Sequence, residues 1–206
     1  MPISGELIAG ALAGLAFVGC SLSSAAPGQV PGATPGRRRE VVVNGKRVKT
    51  VDIHAHCIVP EAAAVINHPL EAPGLLWSSL ADRIQEMDAE GIDVEALSVN
   101  PYWYRAERDA AAELIKIQNE KLAEFCAATP DRFVAFATVA LQHPQLAVEQ
   151  LEHAIKTLGL RGLSVGGSVA GQELADPKFH PVWAKAEALG ILIFMHPTGT
   201  RELEPS

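Results

Sequence analysis

From Thr50 onward the chain alternates short apolar runs with longer amphipathic segments, and that rhythm admits few folds. Strands are predicted over 50–54, 92–99, 133–139, 160–165 and 191–195. Helices are predicted over 79–90, 108–128, 144–158 and 181–189. Gly91, Gly159 and Gly190 stand where three of these helices should stop, and Pro130 follows the fourth. Such residues end helices because glycine reaches left-handed backbone angles and proline cannot donate the next hydrogen bond. Strands separated by helices of this length build right-handed βαβ units on a parallel sheet, so the fold class is α/β. No shorter repeat is superimposed on that rhythm. Ahead of it, residues 41–49 read as a hairpin, with Asn44-Gly45 at the positions where a tight turn needs positive φ.

The first 36 residues differ. Residues 7–19 are small and apolar without interruption, the size of a signal-peptide core and too short for a comfortable membrane span. Ser24-Ala25-Ala26 suits a cleavage site, and Val18-Gly19-Cys20 resembles a lipoprotein site. The preceding segment holds Glu6 and no Lys or Arg, unlike a usual signal peptide. Residues 1–36 are therefore read as a signal-like leader and Pro/Gly-rich linker, and 37–206 as the folded portion. Export is one expected location and the cytoplasm the other.

Net charge of −7 leaves no electrostatic footprint for nucleic acid. The only basic run, Arg37-Arg38-Arg39, reads as solvated linker. Cys20, Cys57 and Cys126 have no paired spacing and make no disulfide framework. Cys57 has the opposite strand parity to its histidine neighbours, which assigns it to packing behind them.

Those neighbours are the strongest chemical signal. In Val51-Asp52-Ile53-His54-Ala55-His56 the two imidazoles are two residues apart on a strand, so they emerge on one side. His196 closes another apolar strand. Functional groups of a β/α barrel sit at strand C-termini, where His54, His56 and His196 would form a metal-ligating trio. His68, His143, His153 and His180 lie in loops or on helices and read as structural or surface residues. The loop after the second strand, Asn100 to Arg105, combines aromatic rings with one cation. Asn100, Trp103 and Arg105 are candidate contacts for a planar acid, and a packed loop is the competing reading. Gly166-Gly167-Ser168 lacks a following helix and a lysine, so it reads as a flexible loop rather than a phosphate cradle.

The runs VDIHAHCIVPEA, RGLSVGG with DPKFHPVWAKAEALG, and ILIFMHPTG resemble the amidohydrolase-related group of the amidohydrolase superfamily, most of all the aminocarboxymuconate-semialdehyde decarboxylase-like enzymes. The resemblance covers about residues 50–200. It implies a TIM-like (β/α)8 barrel, of which about the first five β/α units are present. It also implies a divalent metal, zinc more often than manganese, on His54, His56 and His196. The implied reaction is non-oxidative decarboxylation of a small unsaturated or aromatic carboxylic acid. Metal-dependent hydrolysis of an ester, lactone or amide is the alternative. In this family a histidine of the sixth strand and an aspartate of the eighth complete the site. Neither has a counterpart here, so the catalytic residues stay unassigned. An inactive fragment, or a half-barrel needing a partner chain, is the third reading. Five strands leave a parallel sheet open at an apolar edge, so self-association is expected.

Overall fold

The computed structural model describes residues 38–69 and 80–196, together with the backbone of Ala16–Val18. β1 (Ala16–Val18) is followed by the hairpin of β2 (Val42–Val43) and β3 (Lys46–Arg47). The hairpin turns on Asn44 and Gly45, with φ of 51° and 75°, as its two-residue turn requires. Then come β4 (Val51–Ile58), α1 (Pro60–Val65), α2 (Leu80–Glu90), β5 (Val94–Ser98), α3 (Arg108–Ala128) and β6 (Phe133–Ala135). The chain continues through α4 (Pro144–Lys156), β7 (Gly162–Gly166), the small hairpin of β8 (Ser168–Val169) and β9 (Gln172–Glu173), α5 (His180–Leu189) and β10 (Leu192–His196).

β4, β5 and β6 pair in parallel, and so do β7 and β10. A parallel bridge from Ala137 to Leu163 carries the order from β6 to β7. The strands therefore stand side by side in chain order, as the β/α rhythm predicts. β1 lies antiparallel along the end of β4. Among the described residues the strands form no closed barrel, and β10 pairs with β7 alone.

Every residue of β5 and β7 is buried, the mark of parallel strands covered on both faces. The core lies between the sheet and the helices, where Leu97, Leu114, Ile115, Leu122, Phe125, Phe133, Leu151 and Leu163 are nearly inaccessible. Cys57 is a free thiol within it, as its parity predicts, and burial raises its pKa. Gly190 ends α5 with φ of 63°.

Several local expectations are corrected. β4 runs through Ile58, so His54 and His56 lie within the strand rather than closing it. The segment after it is not all loop, because Pro60, fixed near helical φ, starts α1. The third strand stops at Ala135 rather than 139; the Thr138 N–H bonds to the Asn119 side chain instead of a neighbouring strand. Gly166-Gly167-Ser168 is not a flexible loop but leads directly into the β8–β9 hairpin. Apart from the backbone of Ala16–Val18, the signal-like leader and linker lie outside the described residues. Among those residues no helix is long and apolar enough to cross a membrane.

Candidate metal centre

His54 and His56 reach the same place by a less regular route than simple alternation. The pairing of β4 with β5 shifts register between Asp52 and Ala55, so two residues oppose one. Such a bulge re-aims side chains. The Asp52 carboxylate holds it, accepting the His54 backbone N–H at 2.8 Å. His196 ends β10 in register with Gly166 of β7.

The three rings converge. Their centroids lie 4.6 Å apart for His54 and His56, 4.8 Å for His54 and His196, and 4.7 Å for His56 and His196. Nε2 of His56 and Nε2 of His196 are 2.9 Å apart. One potential ligand atom from each residue lies within 4.8 Å of the others, and no other such group of His, Cys, Asp or Glu occurs among the described residues. Burial, then the neighbouring His196 and His54, pushes His56 down to about 4. His196 is lowered by burial and by His54. Both shifts favour the neutral ring, the form whose lone pair can bind a cation. His196 is buried and its Nδ1 has no hydrogen-bond partner. Three imidazoles facing one another fit a divalent ion.

The three proposed substrate contacts separate. Trp103 is completely buried and its indole N–H donates to the Val139 carbonyl at 2.9 Å, so it is a core anchor. This corrects the expectation that it lines a pocket. Neighbouring rings are anchored too. The Tyr102 hydroxyl donates to Gln118 at 3.1 Å, and the Tyr104 hydroxyl accepts the Gly166 N–H at 3.1 Å. Arg105 is exposed, and Asn100 keeps a buried Oδ1 with no hydrogen-bond partner. Among the other histidines, His68 stacks on Tyr102 at 4.2 Å, His143 contacts the Ala106 carbonyl, and His153 and His180 lie on helices. None joins the trio.

Sequence reasoning missed Phe194, whose ring lies 5.5 Å from that of His54. Its parity with His196 was the available signal.

Residues 51–204 match the family described as amidohydrolase. The chain belongs to the amidohydrolase family. Two curated members of similar sequence bear decarboxylase names. One is 2-amino-3-carboxymuconate-6-semialdehyde decarboxylase of Dictyostelium discoideum, 32% identical over 117 residues, which are 56% of this chain and 33% of that protein. The other is gamma-resorcylate decarboxylase of a Rhizobium species, 36% identical over 141 residues, or 61% of this chain and 43% of that protein. Among solved structures, a dihydroxybenzoic acid decarboxylase from Polaromonas sp., with bound manganese and the inhibitor 2-nitroresorcinol, superimposes with a TM-score of 0.60. It is 26% identical, over 73% of this chain and 49% of that one. This amidohydrolase chain thus spans between a third and a half of the length of the relatives it matches.

Proposed function

We propose that the chain supplies the first five β/α units and the histidine side of the metal centre of a (β/α)8-barrel, non-oxidative decarboxylase acting on a small aromatic or unsaturated carboxylic acid. The observation that carries this is the meeting of His54 and His56, within β4, with His196 at the end of β10, 140 residues beyond His56 in sequence. The decarboxylase names of the relatives favour carbon–carbon cleavage over hydrolysis.

His54, His56 and His196 would hold the ion. When bound, it would supply Lewis acidity that draws electron density from the acid and fixes its orientation. Desolvation of His56 and His196 favours their neutral forms, each with one nitrogen lone pair available for that task. The unpartnered Asn100 Oδ1 offers an acceptor for a substrate hydroxyl, and Arg105 offers a cation for a carboxylate. Zinc is the proposed ion on the nitrogen set alone. Manganese in the Polaromonas enzyme supports the alternative, and any carboxylate ligand added to the trio shifts the preference that way.

The test is carbon dioxide release from dihydroxybenzoates with zinc or manganese, measured beside acid release from esters and lactones. Carbon dioxide release that a chelator stops and metal restores supports decarboxylation. Acid release alone moves the chain to the hydrolase reading. Neither activity, at any metal loading, supports the fragment or half-barrel reading.

A separate observation favours association. Leu192, Ile193 and Met195 of β10 are 60%, 40% and 57% exposed beside a strand edge that is unpaired among the described residues. Such an edge recruits another strand. We propose that it binds a second copy or a complementary half-barrel. A monodisperse monomer by sedimentation, melting cooperatively, would remove that proposal. Export is likewise proposed from residues 1–36, and a pulse-labelled precursor that never shortens would place the chain in the cytoplasm.

A further inference from the structure

The ring of His54 differs from its two partners in how it is held. His54 is exposed, whereas His196 is buried and His56 is half-buried. Its backbone N–H is fixed by Asp52, yet its ring takes no hydrogen bond from any described residue. An exposed imidazole so placed must give up rotamer freedom before it can share an ion with its neighbours.

What touches that ring from below is an aromatic column. Phe194 meets His54 edge-on, with centroids 5.5 Å apart and planes at 62°. Phe194 itself lies flat on Phe136, at 5.3 Å and 7°. Phe136 is buried, and it has room because residue 162 is glycine. A Cβ there would come within 2.7 Å of the Leu192 carbonyl oxygen and 2.9 Å of Phe136 Cδ1. The same glycine lets β10 approach β7, since Leu192 and Gly162 are register partners. Edge-to-face contacts are directional because ring edges are positive and faces negative, so this column sets an angle as well as filling space.

We infer that Phe194, seated on Phe136 and admitted by Gly162, is a positioning residue that orients the His54 ring for metal binding. The inference rests on the reading of the trio as a metal centre. Groups behind a metal ligand that fix its orientation commonly contribute about 10- to 100-fold to metal affinity. Those groups are usually hydrogen-bonding carboxylates or carbonyls; here the job falls to an aromatic ring in a T-shaped contact.

The experiment is a competitive zinc titration of the full chain against a chromogenic chelator. Thermal melting of the metal-free protein and the cobalt(II) visible spectrum accompany it. Phe194→Leu should melt as a folded protein yet bind zinc about tenfold more weakly, with an altered cobalt spectrum. Phe194→Tyr keeps the ring edge and should restore both. Zinc affinity unchanged in Phe194→Leu would overturn the positioning role. So would equal losses in the Leu and Tyr variants, which would mean packing alone. No zinc binding by the unsubstituted chain would overturn the metal-centre reading itself, and this inference with it. Should Phe194→Leu fail to fold, Phe136→Leu carries the test. Among the described residues Phe136 makes no ring contact with a histidine, and its replacement should weaken zinc in the same direction by a smaller factor.

Discussion

The two ends of the parallel strands hold opposite kinds of polar cluster. At the N-terminal ends of β4, β5 and β6, opposite charges meet. The buried Asp93 carboxylate accepts the Thr50 N–H at 2.8 Å and faces the guanidinium groups of Arg47 and Arg38, the latter at 2.5 Å. Arg132 pairs with Asp88 at 2.9 Å and donates to the carbonyls of Asp93 and Ile92. At the C-terminal end, three groups of one kind converge, and no carboxylate bonds to their rings among the described residues. The first cluster pairs opposite charges and ties the β2–β3 hairpin to the sheet through Arg47 and Asp93. The second gains nothing by itself, since desolvation and mutual repulsion depress His56 and His196. A fold keeps such an arrangement where a ligand completes it, and barrel folds separate stability and chemistry between their two ends in this way.

The largest effect should come from the histidine end. His196→Ala removes a ligand outright, so zinc affinity should fall by more than about 100-fold, beyond the loss expected for any supporting group. Retained affinity would erase the contrast between the two ends. Next comes Trp103→Ala, expected to cost about 3–5 kcal/mol in denaturant unfolding because a fully buried indole and its hydrogen bond are lost. A much smaller loss would return Trp103 to the pocket.

Asp93→Asn should cost about 2 kcal/mol, the scale of a charge-assisted hydrogen bond, and leave zinc affinity untouched. The Thr50 N–H and then the two arginines hold the Asp93 carboxyl below its ordinary value of 3.8. A depressed acid contributes its stability above its unfolded value and loses it as pH falls through the folded one. The native chain should therefore lose more stability than Asp93→Asn on acidification below about pH 4. Parallel pH curves would show that this base is not an electrostatic clamp. The smallest stability change belongs to exposed Arg105→Ala, within about 0.5 kcal/mol. In the proposed decarboxylase it should still raise KM for the acid, and an unchanged KM would remove Arg105 from the site.

Much of the architecture was legible locally. Apolar period and the glycine and proline stops gave α3 its full span of 108–128 and placed α2, α4 and α5 within a few residues. Asn44-Gly45 announced its hairpin. Strand parity placed Cys57 in the core and predicted that His54 and His56 share a side. These features depend on backbone sterics and side-chain direction within a few residues, so sequence alone carries them.

Tertiary structure decided the rest. Seven histidines occur in the chain; sequence pattern singles out His54, His56 and His196, and the parallel stacking of β4, β5, β6, β7 and β10 is what brings their rings into contact. The register shift in β4 depends on pairing with β5, which no local pattern encodes. The aromatic cluster of Tyr102, Trp103 and Tyr104, with Arg105 as its one cation, suggested a pocket lining; the hydrogen-bond partners of Trp103, Tyr102 and Tyr104 lie 36, 16 and 62 residues away. Gly162 reads as an ordinary strand glycine until Phe136 and the Leu192 carbonyl close around it. Sequence set the local directions of the chain, and packing between distant segments set what those directions meet, because burial, desolvation and ring contacts exist only once the strands stand side by side.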